Sequence, residues 1–431
     1  MNVLLITHGS RGDIHPFIGL GVALKKQGQK VTVISIDLYE SLVLAAGLHF
    51  ISCGTNEDYY TGIHHPDAYS LNQKKTFQLI ADYLIFSTMR SVYQIVCDFD
   101  PKKTILVASH MMYGARLAHE KLNFPLLTVC LQPFTLWSVK QPPIGIDGVA
   151  YHWLPYGVRR CIFSMFDRFL LDKTLAKPLN LFRQSLELAP VQQIYSRWSY
   201  SPQKVIGLFP SWFATPAKDW PPNTELASFI QYDEAPNEAL PPDALAFLAA
   251  GDKPILLTYG TAVTQSDDFF IHGLEAARTL GLRCIILSVH QAHVPVLQTH
   301  TELYISYVPL QKILPHCAVI LHAGGIGTIA QALAAGIPQL IVPFLNDQPD
   351  NAFRLAKLGV ALNIPSYQWN KVKAIAGIRK LLTDPKIKFN CEQYAKKIDF
   401  AQAEEKVCAL IKKMLSELST NQCRTADLMT D

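Results

Sequence analysis

The chain has 431 residues, long enough for two domains of ordinary size, with 49% apolar and 17% charged residues, a balance that excludes disordered and fibrous classes. A net charge of +4, with no basic run and no basic–aromatic interleaving, points away from a nucleic-acid partner. Nine cysteines stand singly without a C-x-x-C pair, as reduced core residues of a cytoplasmic protein would. No run approaches the ~20 apolar residues that cross a bilayer, and Val3–Ile6 is too short for the apolar core of a signal peptide.

Val3–Ile6 predicts a first strand buried on both faces. It enters the turn His8–Pro16, H-G-S-R-G-D-I-H-P, and a helix whose core face is Phe17, Leu20, Gly21 and Leu24. Val31–Ile36 is the second strand, so one βαβ unit fits within about forty residues. Asp13 in the turn reads in two ways: as an aspartate that caps the helix, or as a catalytic base. Residues 56–73 are polar and turn-rich and read as a loop facing an acceptor; the adjacent His64 and His65 lack a third ligand for a metal. Strands follow at Ile105–Ala108, with Ser109 and His110 at its end, and at Pro125–Cys130, with a helix over Tyr113–Leu122 between them.

The segment 162–171, with Phe163, Met165, Phe166, Phe169, Leu170 and Leu171 beside Arg159, Arg160 and Arg168, reads first as a helix packed on the core. The alternatives are an apolar acceptor pocket or a face resting on membrane, its arginines meeting lipid phosphates. After the strand Val205–Phe209, a Pro-containing polar stretch from Ala214 to Pro242 reads as the linker, with the domain boundary near 235.

The second half repeats the scheme. Pro254–Thr258 is a strand ending in Tyr259, Gly260 and Thr261, with a helix from about Asp267. Strands at Cys284–Ser288 and Leu303–Val308 lead to Ala318–Leu321, after which come His322, Gly324, Gly325 and Gly327 and an Ala- and Leu-rich helix. Strand, glycine turn and helix in that order present backbone N–H groups to an anion, most often phosphate. A further strand, Gln339–Val342, ends near Asn346, Asp347 and Gln348. Ligands of open α/β sheets lie beyond the carboxyl ends of the strands. The glycine spacing is neither that of a P-loop nor the dinucleotide G-x-G-x-x-G, which sets aside a nicotinamide oxidoreductase. Helices at 371–382 and 391–418 precede a polar tail expected to be frayed.

The segment from Ala318 to Asn351 resembles the C-terminal signature of family 1 nucleotide-sugar glycosyltransferases. G-S-R-G-D-I-H-P is similar to the N-terminal motif of their bacterial antibiotic, lipid and sterol members. F-P-S-W-F-A (209–214) and D-W-P (219–221) look like the catalytic chain of rhamnolipid rhamnosyltransferases. The resemblance implies an α/β GT-B fold: two Rossmann-like, doubly wound parallel-sheet domains facing a central cleft. Residues 1–235 would bind the acceptor and 236–431 the donor, the last helix crossing back to the first domain.

It also implies residue roles. Asp13 would be the base. His322, Gly324, Gly325, Gly327 and Thr328 would hold the donor diphosphate, with Gly260 and Thr261 also at the phosphates. Tyr307 and Val308 would lie against the nucleotide base, and Asp347 and Gln348 would grip the sugar hydroxyls. Gln331 stands where the family usually has Glu on the ribose; Gln still bonds a hydroxyl, without the charge.

The implied reaction is metal-independent, inverting transfer of a hexose of glucose or rhamnose type. The donor would be a UDP- or dTDP-sugar, taken as substrate rather than cofactor. The acceptor would be the hydroxyl of an apolar molecule: a lipid, hydroxy fatty acid, sterol-like compound or polyketide. No D-x-D motif of metal-dependent transferases is present. A nucleotide-sugar epimerase and a non-catalytic nucleotide-sugar-binding protein remain as alternatives. The expected location is cytoplasmic, with peripheral membrane contact left open.

Overall fold

The structure, a computed structural model, describes residues 1–70, 72–145, 151–234, 239–260 and 267–427. Two compact units form. The first holds Met1–Pro143, Tyr151–Tyr232 and the helix Phe400–Asp427; the second runs from Asp233 to Asp399 and takes in Ile144.

The first sheet contains β1 (Asn2–Ile6), β2 (Lys30–Ile36), β3 (His49–Gly54), β4 (Thr104–Ser109), β5 (Leu126–Cys130), β6 (Lys204–Gly207) and β7 (Thr224–Leu226). All pairings are parallel, in the order β3-β2-β1-β4-β5-β6-β7. Side chains of a strand alternate between faces, and two separate cores follow. Val3, Leu5, Ile105, Val107 and Leu127 line one face; Leu4, Ile6, Leu106 and Ala108 line the other. The C-terminal helix adds Ala403, Val407, Cys408, Ile411 and Leu415 to the first of these cores, a spacing that puts all five on one stripe.

In the second unit, β8 (Ile255–Leu257), β9 (Cys284–Leu287), β10 (Glu302–Ile305), β11 (Val319–His322), β12 (Gln339–Ile341) and β13 (Ala361–Asn363) pair in parallel, in the order β10-β9-β8-β11-β12-β13. Each sheet therefore reverses its winding once, between β1 and β4 and between β8 and β11. Such switch points are where open parallel sheets leave a crevice for ligands.

Several expectations need correction. Residues 56–73 are not a loop: Asn56–His64 is a helix with Glu57 and Asp58 in its first turn, where acidic groups suit the helix dipole, and with Tyr59 buried. The Pro-containing stretch after Ala214 contains the edge strand β7, and Asp219 within it is fixed by Ser138 Oγ and the N–H groups of Val139 and Lys140 at 2.7–2.9 Å. The span 391–418 is not one helix; the chain turns at 396–399 between Pro385–Ala395 and Phe400–Asp427. The latter continues through most of the expected frayed tail, whose Gln, Arg and Ala residues tolerate helix. The aromatic segment 162–171 is helical, yet Ile162, Met165, Phe166 and Phe169 are exposed and only Phe163, Asp167 and Leu171 are buried. It packs on the core along one side, through Phe163 and Leu171, and leaves the other side exposed.

One ion pair braces the first unit. The fully buried Arg183 guanidinium donates to both Glu120 oxygens at 2.7 and 2.8 Å, and Trp198 Nε1–H adds a third bond at 3.0 Å. Burial alone would raise the Glu120 pKa; the bonds from Arg183 and Trp198 overcome it and hold the carboxyl at about 2. A carboxyl depressed on folding contributes above its ordinary pKa and loses that contribution as pH falls toward the depressed value. Glu120→Ala should therefore destabilise the fold by roughly 3 kcal/mol at neutral pH in urea titrations, since it strands a buried guanidinium. The difference from the parent should shrink as the pH falls below 4.5 toward about 2.

Candidate functional site

The switch point of the first sheet is built from the turns that follow β1 and β4. Ile6 pairs with Ala108, so His8 and His110 each lie two residues beyond a matched pair. His8 Nε2–H donates to the Leu84 carbonyl at 2.8 Å, and Nδ1 is buried with no partner among the described residues. His110 packs on the rings of Tyr195 and Tyr200, and its buried Nε2 also has no partner among the described residues. Burial lowers both pKa values to about 4, so both rings are neutral near pH 7.

Asp13 is the third residue of the helix Arg11–Lys26. Its Oδ2 accepts from Ser10 N–H at 2.8 Å and Ser10 Oγ–H at 2.9 Å, so it closes a capping box with Ser10. Its Oδ1 accepts no hydrogen bond among the described residues. Burial raises its pKa, opposed by the two Ser10 bonds. Gly9 has φ +141°, and a Cβ there would stand 2.5 Å from Asp13 Oδ2. Only glycine lets the turn close over this carboxylate.

In the second unit the corresponding turns follow β8 and β11. Gly324 has φ +96°, and a Cβ would reach Ile341 Cγ2 at 2.8 Å. Its N–H donates to His322 Nδ1 at 3.1 Å, which leaves the other ring nitrogen to donate to Gln339 Oε1 at 3.0 Å. Burial brings the His322 pKa to about 4, against the Gln339 bond that raises it, so this ring is also neutral. Beyond the turn, the helix Ile326–Ala334 starts at Gly325 with no side-chain cap. A Cβ placed on Gly325, Gly327 or Gly260 would meet nothing within 4 Å. Among the described residues no side chain caps the first N–H groups of this helix, and the positive end of its dipole lies behind them.

Asn351 ties the next turn to this one: its Nδ2–H group donates to the Gly324 carbonyl at 3.1 Å and to Asp347 Oδ2 at 2.6 Å. Gln348 Oε1 accepts from the N–H groups of Phe344 and Leu345 at 2.8 and 3.0 Å, so its amide nitrogen is the part left to face a ligand. Tyr259, stacked on Phe269 at 4.2 Å, donates its hydroxyl to the Val342 carbonyl and links the β8 turn to the end of β12.

The sheet thus gathers Gly260, His322, Gly324, Gly325, Asp347 and Gln348 at adjoining strand ends, with Gly327, Thr328 and Gln331 along the helix that follows. Tyr307 and Val308 stand apart, after β10, two strands out from β8 or roughly 10 Å along the sheet. Tyr307 is exposed and Val308 buried. Thr261 lies outside the described residues. Among the described residues no group of three His, Cys, Asp or Glu converges as a metal site would. Sequence reasoning missed Gln339 and Asn351. Their only signal was position: a polar residue opening an apolar strand, and an Asn four residues beyond Asp347.

Comparison with known proteins accords with this geometry. The model for the glycosyltransferase family 28 N-terminal domain matches residues 3–140, and that for the erythromycin biosynthesis protein CIII-like C-terminal domain matches residues 284–412. An O-mycaminosyltylonolide 6-deoxyallosyltransferase of Streptomyces fradiae is 24% identical over 97% of this chain and 99% of its own. A sterol 3-beta-glucosyltransferase of Arabidopsis thaliana is 25% identical over 99% of this chain and 67% of its own. Among solved structures, the glycosyltransferase of kitacinnamycin superposes with TM-score 0.74 at 16% identity, over 96% of this chain and 99% of that one. VinC, solved with dTDP, superposes with TM-score 0.67 at 21% identity, over 97% and 100%. The two domain models, the named relatives and the twice-repeated parallel sheet make this chain a GT-B glycosyltransferase of the family 1 type.

Proposed function

We propose that the chain transfers a hexose of glucose or rhamnose type from a UDP- or dTDP-sugar to a hydroxyl of an apolar acceptor, with inversion and without a metal. The observation that carries this reading is the Asp13 carboxylate, one oxygen fixed by Ser10 and the other unengaged at the switch point of the first sheet. An acceptor hydroxyl is a poor nucleophile near pH 7. Oδ1 takes its proton as the oxygen attacks the anomeric carbon, a contribution typically worth about 10²–10⁴-fold. One displacement inverts that carbon. The departing nucleoside diphosphate gains charge, which the uncapped N–H groups at the start of Ile326–Ala334 stabilise without a metal ion.

His322 is neutral, so its part is to hold Gly324 rather than to supply positive charge. Asp347 and the Gln348 amide take the sugar hydroxyls, Gln331 and Thr328 lie along the donor helix, and the backbone of Val308 meets the nucleotide base beside Tyr307. Support for a dTDP-type donor comes from neighbours of the same fold solved with thymidine diphosphate. Support for an apolar acceptor comes from the tylonolide and sterol in the relatives' names and from the aromatic packing around His110.

Asp13→Asn should retain donor affinity in calorimetry while turnover falls by at least ~100-fold; near-parental turnover would remove Asp13 from the reaction. A base must be ionised to act, and burial raises the Asp13 pKa from its ordinary 3.8. The parent's kcat/KM should therefore fall on the acid side through a value above 3.8, and that limb should be missing from the residual activity of Asp13→Asn.

His322→Ala removes the acceptor for the Gly324 N–H and should weaken donor binding by about ten-fold, the worth of one lost hydrogen bond. Gln339→Leu should show a smaller loss of the same kind. Parental affinity in both variants would detach the glycine turn from the donor.

A further inference from the structure

The helix Tyr156–Phe166 and the wider turn Asp167–Leu171 that continues it carry an apolar surface on which none of the proposed catalytic or donor-binding residues stands. Phe163 and Leu171 face the core. Val158, Ile162, Met165 and Phe169 recur at intervals of four, three and four residues, which is one helical stripe, and all four are exposed. Met165 is 55% exposed, Phe169 63%, and Trp153, just ahead of the helix, 76%. Single exposed apolar residues are ordinary on a soluble surface, whereas a contiguous patch marks an interaction site. Here seven large apolar residues between 153 and 169 are exposed.

The charge around the stripe is one-sided. Between 151 and 181 stand Arg159, Arg160, Arg168, Lys173 and Lys177, against only Asp167 and Asp172. Both carboxylates are engaged within the fold: Asp167 accepts from Ser196 Oγ–H at 2.5 Å, and Asp172 from the N–H groups of Gln193 and Ile194 at 2.7 and 2.9 Å. Arg160, Arg168, Lys173 and Lys177 form no ion pair among the described residues. Three occupants fit an apolar stripe, namely an apolar acceptor, a second copy of the chain and a membrane surface, and the charge separates them: a neutral apolar acceptor leaves the cations unanswered. A second copy docked on the same face would bring like charges together, because a two-fold interface opposes a patch to itself. A bilayer surface bearing anionic lipid supplies both an apolar boundary and phosphates.

We propose that this helix docks the protein on an anionic membrane surface. Trp153, Met165 and Phe169 enter the boundary between headgroups and acyl chains, and the arginines and lysines meet lipid phosphates. No helix among the described residues is long and apolar enough to cross a membrane, so this contact is made from one side. The inference goes beyond the proposed transfer reaction and does not rest on it, because binding is read without turnover.

The test is co-sedimentation of the full chain with vesicles of phosphatidylcholine alone and of equimolar phosphatidylcholine and phosphatidylglycerol. The parent should pellet with the mixed vesicles and much less with phosphatidylcholine, and salt should release it. Met165→Glu combined with Phe169→Glu should cut the partition at least ~10-fold. Arg168→Glu combined with Lys173→Glu should cut it further than ~10-fold, since each cation near an anionic leaflet is worth roughly five-fold. These positions are exposed, so thermal midpoints should stay at the parent's value. The proposal is overturned if the parent ignores mixed vesicles, if the Glu variants bind as it does, or if sedimentation equilibrium shows a parent dimer that Met165→Glu/Phe169→Glu dissolves.

Discussion

The strand-end turn of the second unit depends on how one backbone N–H is held. An anion site at a helix start must keep its first N–H groups free, so no side chain can cap the helix, and whatever fixes the turn must do so from beneath. Gly324 solves this by giving its N–H to His322 Nδ1, while the same ring reaches sideways to Gln339 at the head of the neighbouring strand. The rigidity of the sheet is thereby lent to the turn. This works only with a neutral imidazole, since a protonated Nδ1 has no lone pair to accept with. Burial supplies that condition by holding the ring at about 4. The burial that would make His322 a poor cation for phosphate is what makes it a good strut.

The two units share a strand order and a strand–turn–helix plan at the switch point, yet they treat the helix start in opposite ways. In the first unit Asp13 closes the start of Arg11–Lys26 with its own carboxylate. A helix so capped has little left to offer a phosphate, and its dipole instead favours the ionised aspartate against the burial that disfavours it. In the second unit the glycines leave the start open. One fold thus yields a helix start closed by its own carboxylate and a helix start that no side chain caps, and the difference lies in a few residues after a strand. The turn role of Asp13 and its proposed role as base do not compete, because they use different oxygens.

Much of the fold is legible in the amino-acid sequence, and the parts that are not share a cause. Short apolar runs bounded by glycine and proline mark β1, β4, β5, β8, β11 and β12, because a strand buried on both faces has no choice but to be continuous. The glycine turn between β11 and the helix after it is legible for a similar reason: Gly324, Gly325 and Gly327 obey backbone geometry, which is local. Gln339 and the longer reach of Asn351 are not, since these side chains act on residues 17 and 27 positions away. The helix Asn56–His64 is hidden by its polarity, and β7 by its composition, since Thr224, Glu225 and Leu226 form no apolar run.

The exposed stripe shows the same limit from the other side. Val158, Ile162, Met165 and Phe169 have the period of a buried helix face, and period alone reports that one side is apolar without reporting what lies against it. Two features of the sequence do bear on that question. Five cations against two carboxylates is too much charge for a helix packed into a core, and a core helix has no use for Trp153 ahead of its first turn. Phe163, Asp167 and Leu171 fill the inward side, and the stripe is left exposed among the described residues. An apolar face bordered by cations that form no ion pair among the described residues is the observation on which the proposed membrane contact rests, because a lipid headgroup layer is greasy and negative at once.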